Sequence, residues 1–204
     1  MVIDTDQITE IIRETAALDV LPRFQKLADS EIMEKAPGDI VTVADYDAEI
    51  RLTKALGDIM PGADILAEEA AARDGVELDN YQSDNATWLI DPVDGTRNFS
   101  KGDSTFAIVV AYVKGGRVEH AWIHLPVDDQ TIVAERGSGA FISGGARLTS
   151  SDEENLSSMT GLLNLKGMGE DVSVEHIKSR GETFSEGFRV LRQECLYLLF
   201  SYPR

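Results

Sequence analysis

The sequence predicts an α+β protein, helices packed on a mainly antiparallel sheet, and three observations predict it. Apolar residues recur at helical spacing up to residue 60, and short apolar runs between glycine-rich turns follow from 65 to 142. The two kinds of element are grouped rather than alternated, which argues against a strict βαβ repeat. With 204 residues, 43% of them apolar, the chain can build one good core.

Ile8, Ile11, Ile12, Thr15 and Leu18 define the first helical stripe, with Asp4, Thr5 or Asp6 as its cap. Pro22 ends or kinks that helix, and Phe24 and Leu27 resume the apolar pattern. Ala36-Pro37-Gly38 reads as a turn and Asp39 to Val43 as a short strand. A second helix runs from Asp45 to Met60 through Ile50, Leu52, Leu56 and Ile59, and Pro61-Gly62 stops it. Ile65–Ala67 and Thr87–Ile90 read as strands separated by a polar surface loop, 73–85. Thr105–Val113 and Arg117–Leu125 form a hairpin across Lys114-Gly115-Gly116. Thr131–Glu135 and Ala140–Ile142 follow. The polar run beginning at Thr149 marks the clearest boundary, so we divide the chain into domains 1–146 and 147–204. The second holds an apolar piece at Leu162–Leu165, a polar helix at Val172–Ser179 and an apolar segment from Phe188, too little to close a domain.

There are 36 Asp and Glu against 19 Lys and Arg, a formal charge of −17. Such a field repels nucleic acid and anionic membranes, yet small phosphates remain possible partners where bound cations invert the local sign. One cysteine excludes an internal disulfide. Neither a signal peptide nor a membrane span is read, since the longest apolar run is Phe106 to Val113. These features predict a soluble, cytoplasmic protein.

Three acidic clusters lie where an apolar segment meets a turn or helix start: Glu68-Glu69, Asp91-Pro92-Val93-Asp94-Gly95-Thr96, and Asp45. Asp-Pro and Asp-Gly are ordinary turn pairs, and a lone Glu-Glu is usually a solvated face. The repeated placement after buried segments is what points to chemistry. Asp91 and Asp94 fall on one side of a tight turn, and like charges about 4 Å apart repel by about 4 kcal/mol at an effective dielectric near 20. Either one carboxyl is protonated or a hard cation, Mg²⁺ above all, lies between them. Gly95 and Thr96 offer backbone amides to an anion, and the Thr96 hydroxyl can hold a water. Carboxylates for metal beside amides for phosphate are the parts of metal-assisted phosphoester hydrolysis. The Asp-to-Asp spacing of three disfavours the Asp-x-Asp phospho-aspartate mechanism, and no EF-hand loop occurs.

The run Trp88-Leu-Ile-Asp91-Pro-Val-Asp94-Gly-Thr96-Arg-Asn98-Phe99 resembles the inositol monophosphatase signature W-x-I-D-P-x-D-G-T-x-N-F. Asp39-Ile-Val-Thr42-Val-Ala-Asp45 is similar to that family's D-x-V-T-x-x-D segment, and Ala67-Glu68-Glu69 to its G-E-E. The likeness spans about residues 7–150. It implies a layered αβαβα sandwich with an incomplete C-terminal α/β portion, and a Mg²⁺-dependent phosphoric monoester hydrolase acting on small phosphorylated metabolites as a homodimer. It implies that Glu68 and Asp91, with the Val93 carbonyl, ligate one Mg²⁺ and that Asp91 and Asp94 share a second. It also implies that Thr96, Glu68 and Asp45 position and activate water, and that Gly95 and Thr96 amides hold phosphate. Asn98 and Phe99 support the loop.

The family's second signature, W-D-x-A-A-G, is absent, so the chain reads as C-terminally truncated. Two functions therefore stand: a phosphatase of small monoesters, or an impaired relative that binds metal and phosphate or serves as an interaction domain. His120 and His124 share a strand face with Trp122 and read as packing. His176 reads as solvent-facing, and Cys195 as a buried inert thiol.

Overall fold

A computed structural model describes residues 3–76, 85–150 and 152. The chain divides into two compact units, Met1–Leu148 and Thr149–Arg204, and every element below lies in the first. Predicted elements at 162–165, 172–179 and beyond 188, with His176 and Cys195, lie outside the described residues, as does 77–84 of the polar stretch.

Helix α1 (Thr5–Thr15) is capped by Asp4, whose carboxylate accepts from the amides of Asp6 and Gln7. It continues as a π-helical turn, Ala16–Val20. That wider turn rotates the stripe, so Ala16 and Val20 are buried while Leu18, expected inside, is 51% exposed. A hairpin the sequence only half announced comes next: β1 (Ile32–Ala36) pairs antiparallel with β2 (Asp39–Thr42) around Pro37-Gly38. Helix α2 (Val43–Ile59) buries Ala44, Asp45, Ala48, Glu49, Leu52 and Leu56. Ile50, read as part of that stripe, is instead 67% exposed.

The main sheet has seven strands in sequential order: β3 (Asp64–Ala67), β4 (Thr87–Asp94), β5 (Ala107–Lys114), β6 (Arg117–Leu125), β7 (Gln130–Glu135), β8 (Gly139–Ile142) and β9 (Arg147–Leu148). Only β3 and β4 run parallel, joined through α3 (Glu68–Asp74). The fold class is α+β, with helices on a mainly antiparallel sheet. Register places Ile90, Val110, Trp122 and Val133 in one row and Trp88, Tyr112 and His120 in another, all on the face that meets α1 and α2. Trp88, Trp122, Phe99, Phe106, Ile8, Ile12, Leu52 and Leu56 are fully buried there, each burial stabilising by about 1.5–3 kcal/mol. Trp122 Nε1 donates to Thr5 O at 3.3 Å, and Arg13 meets Asp129 in the β6–β7 turn, which pins α1 across the sheet. Further layers of the expected sandwich fall on residues outside those described.

Candidate functional site

The site grows from the C-terminal end of β4. The sequence reading made Asp91–Thr96 a tight turn; the chain instead stays extended to Asp94, with the register slipping between Asp91 and Asp94. A bulge of this kind re-aims side chains at a strand end. Gly95 then takes φ +95°, and a Cβ there would stand 2.9 Å from Thr105 O, so only glycine fits. The short helix α4 (Thr96–Ser100) begins at once. Asn98 Nδ2 donates to Thr105 O at 2.8 Å, and Phe99 stacks with Phe24 and meets Phe106 edge-on, so both hold the segment in place as expected.

Asp45 reaches the site from the start of α2. Thr42 caps that helix, and its N–H and hydroxyl both donate to Asp45 Oδ2, at 2.9 and 2.5 Å. The other oxygen, Oδ1, is 2.9 Å from Thr96 Oγ1, which also lies 2.9 Å from Val93 O. Burial pushes Asp45 up to about 6, against the pull of its hydrogen bonds. Parallel pairing of β3 with β4 sets Ala67 beside Ile90, and this brings Glu68 next to Asp91.

Asp91 carries the strongest electrostatic signature. Burial first, then the charges of Glu68, Asp94 and Asp45, push its carboxyl up to about 9, with a hydrogen bond to Glu68 favouring the protonated form. Its Oδ1 is buried with no hydrogen-bond partner among the described residues, and Glu69 Oε2 is in the same condition. Burial likewise pushes Glu69 up to about 7.

Sequence reasoning missed three residues here. Lys35, on β1, sets Nζ 2.9 Å from Glu69 Oε1 and 3.3 Å from Glu68 Oε1. Burial lowers its pKa, but the bond to Glu69 and the charges of Glu68, Glu69 and Asp39 outweigh this and hold the ammonium above its ordinary range. Glu49 accepts from the amides of Glu69 and Ala70, at 2.7 and 3.0 Å, anchoring the start of α3. Its signal was available, since Asp45, Glu49, Leu52 and Leu56 form one helical stripe. Arg97 donates to Gly38 O from α4. No pattern marked Lys35 or Arg97.

Glu68, Asp91, Asp94, Asp45 and Thr96 thus converge at one strand end, with the backbone of Val93 and Gly95 between them. Among the described residues no three His, Cys, Asp or Glu side chains stand ready-made as a metal cage. The donor set nevertheless suits a hard cation: all oxygen, several carboxyls raised by one another, and one buried oxygen without a partner. His124 and His120 lie on the helix-facing side of the sheet. His124 Nδ1 is 2.9 Å from Thr131 Oγ1, and His120 stacks on Trp122 near Glu135.

A sequence profile described as the inositol monophosphatase family matches residues 4–190. A fructose-1,6-bisphosphatase/inositol-1-monophosphatase of Thermotoga maritima is 37% identical over 131 residues, which is 63% of this chain and 47% of the relative. A solved inositol monophosphatase of the same organism superposes with a TM-score of 0.70 at 29% identity, covering 91% of this chain and 67% of that one. An IMPase/NADP phosphatase solved with Mg²⁺ and phosphate shares the fold, with a TM-score of 0.67 at 20% identity over 91% and 65% of the two chains. The chain spans about half the length of the curated relatives it matches.

Proposed function

This chain belongs to the inositol monophosphatase family, and from that premise we propose that it serves the hydrolysis of small phosphate monoesters, of the inositol-1-phosphate kind, with Mg²⁺. One observation carries the reading: Asp91, with an unpartnered buried oxygen, is surrounded by Glu68, Asp94 and Asp45 at the end of β4. Glu68, Asp91, Asp94 and the Val93 carbonyl would hold the cation, which when bound lowers the pKa of water and offsets charge on the phosphoryl oxygens. The Asp45–Thr96 pair orients the attacking water, with Glu68 drawing its proton. Gly95 and Thr96 amides take the phosphate, and attack proceeds in line with the departing alcohol oxygen.

A second reading, metal and phosphate binding without turnover, is favoured by the Lys35 ammonium lying against Glu68 and Glu69. We also read the boundary near 146 as a domain boundary. We place the protein in the cytoplasm, with no nucleic-acid or membrane partner; the supports are the charge of −17 and, among the described residues, no helix long and apolar enough to cross a membrane. The homodimer rests on family membership alone.

The test is Mg²⁺-dependent phosphate release from a panel of small monoesters, with Asp91→Asn alongside. Release that needs Mg²⁺ and vanishes in the variant supports hydrolysis. Without release, a Mg²⁺-induced rise in melting temperature confined to the parent supports the second reading. Neither effect overturns the site.

A further inference from the structure

The β1–β2 hairpin is a separate two-stranded sheet, bonded to itself and not to the seven-stranded sheet. Its tip and parts of β1 are exposed, Met33 at 40%, while Val41 and Thr42 at the far end of β2 are buried. An isolated two-stranded hairpin is marginal in water, so whatever holds it matters. Two contacts do so. Lys35 reaches Glu68 and Glu69, and the Gly38 carbonyl at the tip accepts from Arg97 on α4. The tip is shaped to present that carbonyl: Gly38 takes φ +78°, and its N–H donates to Glu34 Oε1 at 2.6 Å.

We propose that Arg97 is a latch that closes the hairpin onto α4 and so fixes the Asp45–Thr96 pair; as a positioning residue it rests on the hydrolytic reading above. The contacts form a closed ring. From Gly38 the chain runs along β2 to Thr42, which binds Asp45 Oδ2 twice. Asp45 Oδ1 meets Thr96, and Thr96 adjoins Arg97, which returns to Gly38. α4 has five residues, too few to keep its own geometry. Asn98 and Phe99 tie it to the Thr105–Phe106 segment. Arg97 supplies the tie on the hairpin side, where α4 packs on β2. With that link cut, Thr96 stays on α4 while Asp45 follows the hairpin and the start of α2, and the distance between them is no longer held.

The latch is tested by tryptic cleavage after Lys35 in metal-free protein, mapped by mass spectrometry, in the parent, Arg97→Met and Arg97→Lys. To enter the protease, Lys35 must leave Glu68 and Glu69, so cutting there reports hairpin opening. Arg97→Met is expected to be cut about tenfold faster, the scale of one lost hydrogen bond to a charged donor. Arg97→Lys, which keeps a donor for one carbonyl, is expected to stay near the parent. Equal rates in all three overturn the latch. Should Arg97→Met fail to fold, Arg97→Gln is compared instead by amide hydrogen exchange over 32–42, and unchanged exchange overturns it equally.

The kinetic arm uses 4-nitrophenyl phosphate with Mg²⁺. Arg97→Met is expected to lower kcat about tenfold with KM within about twofold, and Arg97→Lys to restore kcat. A raised KM at unchanged kcat makes Arg97 a substrate contact and overturns the positioning role. A parent that releases no phosphate sinks the hydrolytic reading, while the cleavage rates still decide the latch.

Discussion

Two buried polar regions of one sheet make opposite uses of burial. At the end of β6, His124 is 1% exposed, and its ring nitrogen is answered by Thr131 across the β6–β7 register. At the end of β4, Asp91 has a buried oxygen that nothing described answers, and its nearest neighbours are other carboxyls. The first is closed: burial pushes the imidazole's pKa down to about 4, so the ring is neutral near pH 7, and one hydroxyl meets its Nδ1. The second is open, holding charge density that a cation would complete. The difference teaches that a buried titratable group points to a cation site where its partners repel it, and to packing where a neutral partner satisfies it.

The comparison breaks most visibly at Asp91. Asp91→Asn is expected to lower Mg²⁺-dependent phosphate release by about 10³-fold or more, a loss of about 4 kcal/mol in barrier height, and to remove the Mg²⁺ effect on melting. The same change is expected to raise the melting temperature of the metal-free protein at pH 8. The sign follows from the shift: with Asp91 raised to about 9, folding favours its protonated form, and that stability is lost as pH rises from about 4 toward 9. An amide has no charge to desolvate. A lower metal-free melting temperature in the variant would show that the cluster is satisfied without a cation.

Thr96→Val comes second. Its hydroxyl stands between Asp45 and Val93, and its loss is expected to lower kcat about 10²-fold while sparing the Mg²⁺-induced shift. Steady-state kinetics with thermal melts in Mg²⁺ check both halves.

The closed region answers in stability alone. Thr131→Val leaves the His124 ring without its partner and is expected to cost about 1–3 kcal/mol in denaturant unfolding with no change in turnover. His124 sharpens the point by pH: its folded pKa is depressed, so its contribution is present above about 6.5 and lost as pH falls to about 4. His124→Gln should flatten that acid limb. The smallest effect belongs to Ile50→Ala, expected within about 0.5 kcal/mol because the side chain lies in solvent, whereas Leu52→Ala on the same helix should cost about 2–5 kcal/mol.

Much of this was legible in one dimension. Periodicity located both long helices and the strand meander, because burial on one face imposes a period of 3.6 or 2 whatever the rest of the chain does. The acidic clusters were legible as well, since Asp91 and Glu68 each directly follow a short apolar run, Asp94 coming three residues after Asp91. Their individual facings were less so. Leu18 and Ile50 match the helical period yet turn outward, one because the helix widens to a π turn, the other because α2 spends its buried stripe on Asp45 and Glu49. Tertiary structure alone decided what meets across distance. Lys35 finds Glu68 and Glu69, Arg97 finds Gly38, and Asp45 finds Thr96, over separations of 33, 34, 59 and 51 residues. A local pattern encodes the face a residue presents to the core; the partner waiting there is set by strand order and register, which no short window contains.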